Sequence, residues 1–171
     1  MPKPRPQRED ERREWTLWLV LAADMTGTDP SAVCERFEVL FAEEAESGDR
    51  PNDHAGYRVE RLEDYFPALA AWNTQREGIL GLAVAVSEHR ESIDAEIQRA
   101  SPRWRIERMP VVDRTLLRMG VGELTHFDTP RPRATINGMI ELAKRYGAEN
   151  TPRFVNGILD QIRRNLDIPF A

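Results

Sequence analysis

Residues 109–127 read MPVVDRTLLRMGVGELTHF. Apolar residues recur at helical spacing, which predicts a helix that ends at the two prolines of HFDTPRPR. On a helical wheel Val112, Leu116, Met119, Gly120, Leu124 and Phe127 share one face. Asp113 and Glu123 fall on that same face. Two acids on an apolar face invite a catalytic reading. They are ten residues apart in the sequence, about 15 Å along the axis at 1.5 Å per residue. Paired carboxylates in glycoside hydrolysis work at about 5 to 9.5 Å. A structural role is therefore expected. Asp113 sits in a first turn, where backbone donors and the helix dipole favour negative charge. Glu123 is expected to accept hydrogen bonds from a neighbouring helix start or an arginine, because an unpaired buried charge is very costly.

The flanking sequence repeats the helical pattern. Upstream, REGILGLAVAVSEHRESIDAEIQRA (76–100) predicts one long helix with its acidic second half toward water, and SPRW (101–104) starts a short turn or helix. Gly78 and Gly81 lie inside that pattern, where glycine allows close helix packing. Downstream, ATINGMIELAKRYG (134–147) predicts a helix closed by Gly147. A last helix follows in ENTPRFVNGILDQIRRNL (149–166), with Thr151 as N-cap and Pro152 at the first helical position. Near the start, helical patterning runs from about Arg8 to Met25, and WTLWLVLAADM is apolar almost all round. Such a helix is buried on several sides or forms a subunit contact. Asp29 and Pro30 then read as an N-cap and a first helical position, ahead of Val33, Phe37, Leu40 and Phe41 at helical spacing. SGDRPND (47–53) reads as a loop, and weak helical patterning resumes to about Trp72. Residues 1–7 read as a mobile Pro-rich arm. No strand-like alternation, internal repeat or interdomain linker is present, so an all-α domain of about seven helices is expected over 8–171.

The 171 residues suffice for one domain with a real core. No apolar run approaches the roughly 20 residues of a membrane helix, and the first residues do not form a secretory signal. Cys34 is the only cysteine, which rules out an intrachain disulfide and a cysteine-based zinc site. A reducing cytoplasm is the simplest home. His54, His89 and His126 show no metal-ligand spacing, and no glycine loop resembles a nucleotide-binding motif, so neither metal nor cofactor is expected. The net charge of −5 divides into about +1 over residues 1–14, −11 over 15–98 and +5 over 99–171. Bulk adhesion to nucleic acid is disfavoured, whereas a local basic face in the C-terminal part is allowed.

The last helix holds the candidate binding spot. Val155, Ile158, Leu159, Ile162 and Leu166 form one stripe, with Phe154 at its margin and Arg153, Gly157 and Gln161 beyond it. A ring thus borders a cation, a residue without a side chain and a helix N-terminus whose N–H groups suit an anion. These elements could hold a base on the ring and a phosphate at the helix end. The same wheel also fits an edge-of-core phenylalanine beside an incidental arginine.

RIERMPVVDRTLLRMGVGEL, TINGMIELAKRYGAEN and RFVNGILDQI, in this order and spacing, resemble the C-terminal half of the NusB transcription antitermination family. The match covers about 104–162, with a weaker one at RREWTLWLVL (12–21). The resemblance implies an all-α fold of two packed helical subdomains, about 8–73 and 74–171, and no catalysis. It implies binding of boxA-like single-stranded RNA in nascent ribosomal transcripts, together with the ribosomal protein NusE. RNA polymerase in its elongation complex is then an indirect partner. The implied RNA surface joins the arginine-rich start of the first helix, here Arg5, Arg8, Arg12 and Arg13, to Arg153 and Phe154 just before VNG. NusB-like domains also precede the methyltransferase domain of certain ribosomal RNA cytosine methyltransferases. This chain carries no glycine-rich cofactor loop and no catalytic cysteine motif, so an enzyme is not expected.

Three departures from the family pattern matter. Glu9, Asp10, Glu11 and Glu14 interrupt the leading arginines, which should weaken RNA affinity and its salt dependence. Gly138 stands where the family usually has Glu, at a cost of about 1 kcal/mol relative to Ala inside a helix. Trp18 replaces an often polar residue and reads either as a base-stacking platform or as part of an apolar contact surface. These departures motivate an alternative: a divergent paralogue that serves as a protein–protein module without RNA binding. The apolar first helix also permits a homodimer.

Overall fold

The computed structural model describes residues 8–47, 69–126 and 131–170. Among them are seven α-helices, one short 3-10 turn and no strand. The helices are α1 (Arg8–Thr26), α2 (Pro30–Ser47), α3 (Leu69–Glu88), α4 (Arg90–Ala100), α5 (Val111–Thr125), α6 (Pro132–Tyr146) and α7 (Thr151–Asn165). The 3-10 turn, Ile106–Arg108, precedes α5. Arg5 and His54 lie outside the described residues, as do the loop and most of the weakly helical stretch read between 48 and 68.

The helix α5 is the axis of the molecule. Every residue from Thr115 to Leu124 is buried. Five helices ring it: α1 packs on α6, α6 on α7, α7 on α4, α4 on α3, and α3 back on α1, while each also packs on α5. The single apolar face read from the wheel is therefore a correction: α5 is enclosed on all sides. Two of its glycines set the packing distances. A Cβ at Gly120 would lie 2.7 Å from Leu159 of α7, and one at Gly122 would lie 3.0 Å from Val86 of α3.

Helix α1 is likewise used up inside the chain, against α2, α3, α5 and α6. Trp15 meets Trp72 edge-to-face at 5.0 Å, and Trp18 meets Tyr146 in the same way at 5.5 Å. Gly27, at φ +64°, ends α1, and the Thr28 N–H reaches the Ala23 carbonyl at 3.1 Å. Asp29 then accepts the Ser31 N–H at 2.7 Å, so α2 is capped as its sequence predicts.

The long helix expected over 76–100 begins at Leu69 and breaks at His89, which leaves helical geometry at ψ 17°. Its backbone bonds run on across the break: His89 N–H donates to Ala85 and Ile93 N–H to His89. The apolar spacing therefore stays nearly continuous, and periodicity alone does not mark the bend. Gly147 ends α6 with extended backbone rather than in the left-handed region. Its small size is what the site needs, because a Cβ there would meet Thr151 at 2.5 Å and the Ala143 carbonyl at 2.7 Å. One buried apolar cluster draws on all seven helices, and the boundary expected near 73 falls inside α3.

Candidate nucleic-acid interface

Both acids of α5 serve as anchors for neighbouring helices. Glu123 accepts Arg13 in a two-point pair, Nε at 2.9 Å and Nη2 at 2.9 Å, and also accepts the Thr135 hydroxyl at 2.8 Å. It therefore ties α1 and the start of α6 to the end of α5. Asp113 accepts the Thr151 hydroxyl at 2.9 Å and ties the start of α7 to the start of α5. The Thr151 hydroxyl also accepts the Ala148 N–H at 3.0 Å, so it braces the loop before α7, where an N-cap was expected.

The arginines of α1 divide into two kinds. Arg13 is 4% exposed and locked on Glu123, so it offers no surface to a nucleic acid. Its expected place on the RNA surface gives way to a packing role. Gly138 makes this possible: a Cβ there would lie 2.7 to 3.0 Å from the Arg13 side chain. Arg12 is 26% exposed, crosses over Gly78 of α3 and stands 3.8 Å from Glu123. Arg8 opens α1, and its side chain lies outside the described residues. Glu14, read as an acid that dilutes the cations, is buried and accepts Arg145 and the Tyr146 hydroxyl of α6. Burial and that bond push the Tyr146 phenol up to about 12.

At the other end of α5, Phe154 is half-buried beside the exposed Arg153. Together with Gly157, Asn150 and the loop Ser101–Trp104 they line an open groove of about 590 Å³. Trp104 meets Phe154 edge-to-face, with centroids 6.3 Å apart and planes at 72°. The sequence reading gave SPRW no functional role. The signal available there was a lone Trp between two arginines just outside a helix.

Gln98 holds this loop in place. Its amide N–H groups donate to the carbonyls of Ser101 and Trp104 at 3.1 and 3.2 Å, and its carbonyl accepts the Ile106 N–H at 3.2 Å. Ile106 and Met109 are buried behind it.

Arg12 stands near Glu123 of α5, and α7 carries Phe154 three residues after Thr151, which holds Asp113 near the start of α5. Helix α6 packs on both α1 and α7. Among the described residues no group of three or more His, Cys, Asp or Glu side chains could hold a metal ion. His89 and His126, distant in sequence, stack at 4.0 Å.

The NusB family model matches residues 37–164. The chain belongs to the NusB family. It is 40% identical over 131 residues to the transcription antitermination protein NusB of Sorangium cellulosum, covering 75% of this chain and 86% of that protein. Against NusB of Bacillus mycoides it is 34% identical over 116 residues, covering 64% of this chain and 89% of that protein. Against NusB of Solibacter usitatus it is 42% identical over 93 residues, or 54% of this chain; there it spans 63% of the relative's length, less than two thirds. Thermotoga maritima NusB superposes with a TM-score of 0.64 at 26% identity, covering 96% of this chain and 93% of that one. A crystal structure of the antitermination factors NusB and NusE with double-stranded RNA superposes at 0.63 with 23% identity, covering 92% and 97%, and supports the shared fold. These relatives are named as transcription antitermination proteins. Among the described residues no helix is long and apolar enough to cross a membrane.

Proposed function

We propose that this protein is an RNA-binding antitermination adaptor. It binds boxA-like single-stranded RNA of nascent ribosomal transcripts together with the ribosomal protein NusE, and so supports processive elongation by RNA polymerase. The observation that carries this reading is Phe154, which lines an open groove beside exposed Arg153 instead of lying deep in the core. Phe154 stacks a base, Arg153 neutralises phosphate, and Arg12 with Arg5 and Arg8 of the leading segment extends the cationic track. Arg13 holds α1 in place from within. The relatives named as antitermination proteins support the role, and the neighbouring complex of NusB with NusE and double-stranded RNA supports NusE and RNA as classes of partner.

The reading as a protein module without RNA binding loses one of its motives and part of another, the interruption by Glu9, Asp10 and Glu11 remaining. Glu14 is buried and paired, and Gly138 is where the Arg13 side chain fits. The reason for proposing a homodimer weakens too, since α1 spends its apolar surface on four helices of its own chain.

The test is an electrophoretic shift with boxA-like RNA, with and without NusE. Phe154→Ala should cost roughly 1 to 3 kcal/mol of RNA affinity with helix content intact. Arg12→Ala should weaken binding and flatten its salt dependence by about one phosphate contact. Absence of any RNA retention by wild type plus NusE at low salt refutes the reading.

A further inference from the structure

We propose that Trp104 is a second nucleobase platform, so that the groove between the 101–104 loop and α7 receives two successive unpaired bases at a turn of the strand. This inference rests on the RNA-binding reading above and adds a residue to it. Trp104 is 62% exposed, and the loop is held by Gln98 through backbone groups, the Trp104 carbonyl among them, rather than through the indole. The core under that loop is supplied by Ile106 and Met109, so the indole is not needed to close it. The groove lining includes the guanidiniums of Arg103 and Arg153 and no carboxylate. That charge suits a polyanion and disfavours an acid-free apolar peptide. Gly157 adds room, since a Cβ there would meet nothing within 4 Å.

The ring geometry defines the ligand further. Planes at 72° cannot sandwich one flat base between them. Each ring offers its own face, so consecutive bases stack on different platforms and must be unstacked from each other. A duplex cannot supply that arrangement, whereas a single strand can. Arg103 and Arg153 stand at the groove for the phosphates on either side.

Tryptophan fluorescence provides a direct readout. Trp15 and Trp72 are buried and Trp18 is half-buried, so Trp104 dominates the emission that iodide can quench. The probe is an unstructured single-stranded RNA, compared with the same strand annealed to its complement, each with and without NusE. The single strand should quench Trp104 and shield it from iodide, and the duplex should not. Trp104→Ala should weaken single-strand binding about 5-fold to about 100-fold at unchanged helix content. Trp104→Phe should keep most of the affinity while losing the fluorescence signal.

Wild-type affinity in Trp104→Ala, with Phe154→Ala still weakened, overturns this inference and leaves the RNA-binding reading standing. Should Trp104→Ala fail to fold, the wild-type signal decides: RNA binding that leaves Trp104 open to iodide overturns the inference. Shielding of Trp104 by NusE alone, with NusE binding itself lost in Trp104→Ala, assigns the groove to a protein and also overturns it. If wild type binds neither RNA under any of these conditions, both readings fall together.

Discussion

Arg13 and Gly138 act as one packing unit. A methyl at 138 would gain about 1 kcal/mol of helix propensity but would press on a guanidinium fixed by Glu123. Because Arg13 is bound at two points and buried, it cannot swing away cheaply. Gly138→Ala should therefore destabilise by about 1 to 2 kcal/mol in urea denaturation. Arg13→Ala should cost about 3 to 5 kcal/mol, because Glu123 is left without its principal buried cation. In the Arg13→Ala background Gly138→Ala should turn neutral or stabilising, a sign change that a double-mutant cycle detects. The sequence shows a glycine where a family glutamate is usual. That the gap is filled from another helix, 125 positions earlier in the chain, cannot be read from local pattern.

At the scale of elements, the junctions carry the specificity. Gly147 closes a helix and Gly81 lies inside one, where close packing was expected, yet a Cβ is blocked by Thr151 and a backbone carbonyl at the first and meets nothing within 4 Å at the second. Gly147→Ala should destabilise by about 1 to 3 kcal/mol, and Gly81→Ala should stabilise by roughly 0.5 to 1 kcal/mol, both read from chemical denaturation. The bend between α3 and α4 is joined to the end of α5 by the stack of His89 on His126. Burial and then the charge of His89 hold the His126 pKa below its usual 6.5. The folded chain therefore takes up that proton less readily than the unfolded chain. The stability this contributes is complete above about pH 6.5 and is lost as pH falls through the lower folded value. Wild-type Tm should decline from pH 7 toward pH 5 more steeply than that of His126→Gln.

At the scale of the whole molecule, most helix starts among the described residues were legible because caps, prolines and apolar spacing act locally, although the one helix expected over 76–100 is two. Pro30 opens α2 and α5 starts within two residues of Pro110, as their patterns indicate. Enclosure of α5 was not legible, because a wheel ranks hydrophobicity around one helix and does not count its neighbours. Structural roles for Asp113 and Glu123 followed from their spacing, while the residues that satisfy them had to come from the fold. At the candidate interface, Arg153 and Phe154 were legible from one helix, whereas Trp104 reaches them only through tertiary packing. Arg12 on α1 stands beside Glu123 and Phe154 on α7 stands beside Trp104, so with different neighbours their effects on RNA affinity should add: the Arg12→Ala/Phe154→Ala double variant should lose the sum of the two single losses within about 0.5 kcal/mol in a binding titration.

A helix walled in by five others has a kinetic signature as well. Its amide protons can reach deuterium only when the surrounding helices come apart together, so α5 should exchange at the rate of global opening. The 101–104 loop should label early, long before the axis that it overlies.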